Sequence, residues 1–215
     1  MSRLRRVLLV DPGQSFAEGG SRHATRQTPH IGLACLASVA RRIADVQVLD
    51  MPLMGANDED LRLAVQDFQA GDIVGITTAT FNLPEALDAA RVVKEVNPAI
   101  VTLVGGPHVN AFPADVPQRS GHVDAAVVGE GERILEHVIL NHGKPGFDWD
   151  IPGVATWGGD AIRYRPPSVE WVYDNLDDLP LPDWEFLGLG RYWKRYSSRF
   201  DRMEQLAPLS TIRGC

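Results

Sequence analysis

Cysteine is nearly missing: the chain of 215 residues holds two, Cys35 and Cys215. Far apart in sequence, they give no disulfide scaffold, and a reducing cytoplasm is the expected compartment. Long apolar runs are missing too. The basic start Ser2-Arg3-Leu4-Arg5-Arg6 leads only into Val7-Leu8-Leu9-Val10, too short for a signal-peptide core and far too short for a membrane span. Positive charge is in the minority, with 21 Lys and Arg against 28 Asp and Glu and a net charge of −7. Neither nucleic acid nor a membrane is therefore an expected partner. The sequence also lacks repeats, low-complexity tracts and a P-loop. After its first apolar run it reads Asp11-Pro12-Gly13-Gln14, which is not the G-x-G-x-x-G of a dinucleotide fold. A phosphoacceptor receiver domain shares the strand pattern described next, but needs an acidic cluster, an aspartate and a lysine at three strand ends. This chain offers Asp11 alone, Thr77-Thr78 and Val128-Gly129.

What is present is enough apolar sequence, 44%, against 23% charged residues, to bury a real core. Short apolar runs alternate with stretches of helical period. Val7–Val10 reads as a strand covered on both faces. Leu33, Leu36, Ala37, Ala40 and Ile43 predict a helix over 30–44 that starts just after Pro29. Val46–Leu49 is a second strand. Asn57, followed by Asp58, Glu59 and Asp60, predicts a capped helix start. Asp72–Thr78 is a third strand, and Asn82 with Glu85 resembles a capping box for the next helix. Ile100–Val104 is a fourth strand. A short irregular or helical piece with Pro113 and Pro117 then leads to a fifth, Ala125–Val128, and to a helix opening at Gly129-Glu130-Gly131-Glu132. The expectation is an α/β fold: a flavodoxin-like, doubly wound, five-stranded parallel sheet over residues 1–143. Residues 144–208 should hold a β-hairpin around Gly158-Gly159 and a helical connector, with a helix near Glu185–Tyr196. Leu209–Ile212 reads as one more strand, with Cys215 just past its tip.

A doubly wound sheet binds ligands outside the C-terminal ends of its strands. Those ends carry small residues: Thr77-Thr78-Ala79, Gly105-Gly106-Pro107-His108 and Val128-Gly129-Glu130-Gly131-Glu132. Glycine admits close approach of a bulky ligand, and threonine supplies hydroxyl donors. Each glycine pair taken alone is equally readable as a turn. Glu130 and Glu132 fit a helix start as well as a ligand. His30 and His108 read as polar caps or as metal ligands, without a partner at metal-site spacing. Cys35 sits in an apolar helix and reads as a buried thiol.

Together, "PHIGLACLASVARR", "GGPHVN", "VVGEGE" and "LDDLPLPDW" resemble the N-terminal cobalamin-binding domain of B12-dependent radical SAM enzymes, and the connector to their barrel. The resemblance implies cobalamin as cofactor. It implies Thr77, Thr78, Ala79, Gly105, Gly106, Pro107, His108 and Val128 to Glu132 as its contacts, flanking the slot for the dimethylbenzimidazole tail. The D-x-H-x-x-G motif that supplies a lower cobalt ligand in other B12 proteins is absent, which implies base-off, histidine-off binding with His30 a minor candidate. "LSTIRGC" resembles the first strand of a radical SAM barrel. It implies that Cys215 is the first ligand of a 4Fe–4S cluster, 209–215 being the start of a truncated barrel, with a radical SAM core in the same chain as partner. The implied reaction is methyl transfer through methylcobalamin and S-adenosylmethionine by the full-length enzyme, the fragment alone not being catalytic. The alternatives are a radical SAM cyclase, oxidase or rearrangement enzyme, and a degenerate domain that binds no corrinoid.

Overall fold

The computed structural model describes residues 3–15, 22–23, 29–188 and 190–192. The expected strand at 209–212, Cys215 and the far part of the expected helix at 185–196 lie outside those residues; 184–188 are turns and 190–192 are helical.

The first strand, β1 (Arg6–Asp11), shows how the sheet is organised. It is buried on both faces. Leu8 and Val10 enter one hydrophobic cluster while Val7 and Leu9 enter another, because successive side chains of a strand point opposite ways. A two-residue pair follows, β2 (Gln14–Ser15) against β3 (Arg22–His23). Then come α1 (Ile31–Ala40), β4 (Asp45–Asp50), the short α2 (Met51–Met54) and α3 (Asp58–Val65). Asn57 caps α3 as expected: its side chain accepts from the Glu59 and Asp60 amides at 2.8 and 3.3 Å, and Asp60 accepts from the Asn57 amide at 2.8 Å. The strand β5 (Ile73–Thr77), α4 (Leu83–Val96), β6 (Val101–Gly105), α5 (Pro107–Ala111), α6 (Asp115–Arg119), β7 (Ala125–Val127) and α7 (Glu132–Asn141) complete the alternation. The expected cap of α4 does not form. Asn82 lies in a 3-10 turn, and its side chain accepts from the Ala79 amide at 2.7 Å instead of reaching into α4.

The strand order is β4-β1-β5-β6-β7, all parallel, which is the doubly wound order anticipated. The sheet has seven strands, however, where five were expected. The hairpin β8 (Val154–Trp157) and β9 (Ile162–Tyr164) extends it antiparallel beyond β7. The physical reason is the three-residue β7. Its free edge would leave backbone groups unpaired, and β8 covers it with Val154 and Ala155 buried, one in each core cluster.

The crossovers decide what covers each face. Helices α3, α4 and α6 contribute to the cluster containing Leu8, Val10, Val74, Ile76 and Val104. Helices α1 and α7 contribute to the cluster on the other face, with Val7, Leu9, Ile73 and Leu103. Both connections out of β5 and β6 go to the first face. On the second face those two strands therefore have no helix of their own.

Candidate functional site

That gap is a cavity of about 690 Å³. It opens at the C-terminal ends of β5, β6 and β7 and runs down between α1, α7 and the sheet, reaching Leu9, Gly75 and Leu103. The sheet side is open because the positions facing it become small. Register sets Leu9 beside Gly75 and Gly75 beside Leu103, and one step further up sets Thr77 beside Gly105. Gly32 and Leu36 of α1, and Gly131 and Leu135 beside and on α7, form the walls. The lining is predominantly apolar, with the Thr77 hydroxyl and the carboxylates of Glu130 and Glu132 among its polar groups.

The expected contact residues divide in two. Thr77, Gly105, Gly106, Gly129, Glu130, Gly131 and Glu132 line the cavity. Thr78, Ala79, Pro107, His108 and Val128 do not, and each has an evident structural task. Thr78 is buried and donates its amide to the Gly105 carbonyl at 2.8 Å. The Ala79 amide holds Asn82, Pro107 occupies the first turn of α5, and the Val128 amide pairs with the Gly153 carbonyl at 2.8 Å. His108 is buried on the far side. Its Nδ1 lies 3.1 Å from the Thr80 hydroxyl and its Nε2 3.0 Å from Asp115. The Arg119 guanidinium first, then the His108 ring, holds the Asp115 carboxyl below the usual carboxylate range.

Gly106 has a requirement of its own. Its φ is +113°, and a Cβ there would stand 2.6 Å from the Thr78 carbonyl oxygen. The loops after β5 and β6 touch backbone to backbone at this point, so glycine is demanded by the chain itself. Gly105 differs. A Cβ there would meet Val127 at ordinary distances, 3.4 Å from its carbonyl oxygen and 3.8 Å from its Cβ.

His30 caps α1 at the mouth. Its Nδ1 accepts from the Gly32 amide at 3.1 Å, and its Nε2 lies 3.2 Å from the Thr77 hydroxyl. Both ring nitrogens of His30, like both of His108, are thus engaged by the protein. Among the described residues no cluster of three or more His, Cys, Asp or Glu is arranged to hold a metal ion.

Two parts of the wall were not anticipated. Gly75 lies inside a strand, a placement that signals close approach of another group. The second is the connector: Leu176, Leu179, Pro180, Leu181, Pro182 and Trp184 close the outer side of the cavity. It is strapped to α1. The Asp183 amide donates to the Ser38 hydroxyl at 3.0 Å, Arg41 forms an ion pair with Asp183, and the same guanidinium lies 4.1 Å above the Phe186 ring. Further on, the buried Tyr192 hydroxyl donates to Asp50 at the tip of β4.

A large tetrapyrrole-derived cofactor with a nucleotide tail fits this donor set. On the sheet side Gly75 and Gly105 carry no side chain between Leu9 and Leu103, the backbone rim is exposed at Gly129, and a side chain added at Gly105 or Gly131 would occupy the space.

Residues 21–139, more than half of the chain, match the B12 binding domain family. The chain is 29% identical over 190 residues to an uncharacterized methyltransferase of Pyrococcus horikoshii, covering 88% of this chain and 40% of that protein. It is 29% identical over 196 residues to an anaerobic magnesium-protoporphyrin IX monomethyl ester cyclase of Rubrivivax gelatinosus, covering 89% and 34%. The chain thus spans well under half the length of these curated relatives. Among solved structures, its fold is similar to that of the cobalamin-dependent S-adenosylmethionine radical enzyme OxsB with aqua-cobalamin and S-adenosylmethionine bound. The TM-score is 0.70 at 18% identity, over 89% of this chain and 25% of that one.

Proposed function

Because this chain belongs to the B12 binding domain family, we propose that it is the cobalamin-binding module of a radical SAM enzyme, and that the whole enzyme is a methyltransferase. The observation that carries the first part is the glycine-floored slot between α1 and α7 at the C-terminal strand ends. The likeness to a named methyltransferase over most of the chain supports the second. The comparable likeness to a cyclase favours a second reading, in which the same module serves a ring-forming enzyme.

In either case the slot between α1 and α7 would take the cofactor's tail. Cobalamin, when bound, supplies a cobalt centre able to carry a one-carbon group. The protein supplies position and dryness. Gly75, Gly105 and Gly131 would leave room, Thr77 would offer a hydroxyl, the Glu130 and Glu132 carboxylates line the cavity, and the connector would cover its outer side. Neither His30 nor His108 is offered to the metal, since both hold their own loops. We extend the module through the connector to at least residue 192. Its partner is a radical SAM core in the same enzyme, working in the cytoplasm with S-adenosylmethionine. There Cys215 is the candidate first ligand of a 4Fe–4S cluster.

Among the described residues no helix is long and apolar enough to cross a membrane. The test is titration of the purified chain with hydroxocobalamin, followed by gel filtration. A shifted visible spectrum and co-elution of corrinoid with protein are expected. Wholly free corrinoid, under reducing and oxidising conditions alike, would refute the module.

A further inference from the structure

We propose that His30 fixes the direction of the Thr77 hydroxyl hydrogen, so that Thr77 donates into the slot and selects corrinoids whose tail carries a ring nitrogen free to accept. The proposal rests on the corrinoid reading of the slot and adds a positioning residue to it.

The argument begins at the helix start. A backbone amide is only ever a donor, so the Gly32 amide at 3.1 Å from His30 Nδ1 requires that nitrogen to be unprotonated. The ring proton of the neutral imidazole is then on Nε2. From there it points at the Thr77 oxygen, 3.2 Å away. Gly32 makes this pose possible, because a Cβ at that position would stand 3.1 Å from the ring's Cε1 and 3.2 Å from Nδ1. The ring is thereby held from both sides, by a cap bond at one nitrogen and a strand-end hydroxyl at the other.

Thr77 is consequently an acceptor toward His30. A hydroxyl has one hydrogen, and here it must be directed elsewhere. His30 is the one hydrogen-bond partner of this hydroxyl among the described residues. Thr77 lines the cavity at the end of β5 beside Gly105, and only 7% of its surface is exposed. At such a site water competes poorly and an unmatched donor is costly, so a ligand that accepts there is preferred over one that cannot. The benzimidazole of cobalamin, detached from the metal, presents a ring nitrogen. A phenolic tail of similar size, as in p-cresolylcobamide, presents none.

The experiment compares these two corrinoids on the unaltered chain and on His30→Asn, Thr77→Val and the double variant. Asparagine keeps a good helix cap but is too short to reach Thr77. The unaltered chain should prefer cobalamin at least tenfold. Thr77→Val should bring the ratio near one, His30→Asn should lower it at least threefold, and the double variant should match Thr77→Val alone. A cap of purely structural importance would weaken both corrinoids equally and leave the ratio unchanged, overturning the proposal. Separately, ring-nitrogen NMR of the ligand-free chain at alkaline pH should find His30 protonated at Nε2; protonation at Nδ1 overturns it without any ligand. If the unaltered chain binds neither corrinoid, the module reading falls and the selection falls with it. Binding of cobalamin with an unaltered ratio in His30→Asn overturns the proposal and leaves the module reading standing.

Discussion

The two faces of the sheet are built from the same strands and end up different. On the face carrying Leu8, Val10, Val74 and Val104, helices α3, α4 and α6 each bring apolar side chains, and the layer is filled. On the face carrying Leu9, Ile73 and Leu103, only α1 and α7 do so, and the layer is filled at its lower end and open at its upper end. Connectivity explains the asymmetry. A right-handed crossover puts its helix on one face, and both crossovers leaving β5 and β6 choose the first. Residue choice completes it, since Gly75, Thr77 and Gly105 all face the uncovered side. The cavity is thus the place where β5 and β6 have no covering helix of their own and their facing residues become small.

The sharpest way to break this contrast is to supply the missing side chain. Gly105→Leu puts an isobutyl group into the slot from a position where a Cβ meets its neighbours at 3.4 and 3.8 Å. Hydroxocobalamin affinity should fall more than a hundredfold, about 2.7 kcal/mol, with the thermal midpoint nearly unchanged. Equal loss of stability and affinity would mean that the slot is a packing feature. Its neighbour gives the opposite pattern. Gly106→Ala forces a side chain into left-handed backbone against the Thr78 carbonyl, at about 1–3 kcal/mol of strain. Urea unfolding should register that loss first. An alanine variant as stable as the parent would show that the two loops have room to part.

These two glycines also show what could be read in the sequence and what could not. The strands, the Asn57 cap and the gathering of small residues at strand ends follow from local patterns, and the structure has them. Gly105 and Gly106 looked alike in sequence, and only the approach of Thr78 separates a residue bare toward the cavity from one bare toward its own backbone. Asn82 and Glu85 had the spacing of a cap, but the tight turn after Thr78 claimed the asparagine first. The connector was legible as a motif but not as a wall. Its hold on α1 joins Ser38 to Asp183 across 145 positions, and no periodicity encodes such a contact. The hairpin's place on the sheet depends on the unpaired edge of β7, likewise a tertiary fact.

The strap gives the next test of the open face. Arg41→Ala removes both the ion pair to Asp183 and the cation lying over Phe186. The pair is partly exposed on each side, with relative side-chain exposures of 42% and 39%, so its contribution to folding is about 0–1 kcal/mol. The Asp183 carboxyl is held below its usual range first by the Phe186 amide and then by Arg41, so the strap end keeps its internal turn when the arginine is gone. Stability should therefore barely move while corrinoid dissociation speeds up severalfold, measured by chase with excess free ligand. An unchanged off-rate would mean that residues 176–184 rest beside the ligand without retaining it.

The smallest expected effect lies at the closed end of the same face. His142 follows α7 and packs edge-on against Phe147, with ring centroids 5.0 Å apart, and near Trp149 at 5.6 Å. Burial first, then the Arg5 guanidinium, pushes its pKa below the ordinary histidine value. The sign follows from proton linkage. The unfolded chain takes up a proton near pH 6.5 while the folded chain resists, so the stability from this group is fully present above that pH and declines as pH falls through it. Urea midpoints measured at pH 7.5 and 5.5 should show the decline, and His142→Phe, which keeps the aromatic contact but cannot be charged, should reduce it. An identical decline in the variant would mean that water already reaches the lower end of the layer, and that the two ends of this face do not differ as their packing implies.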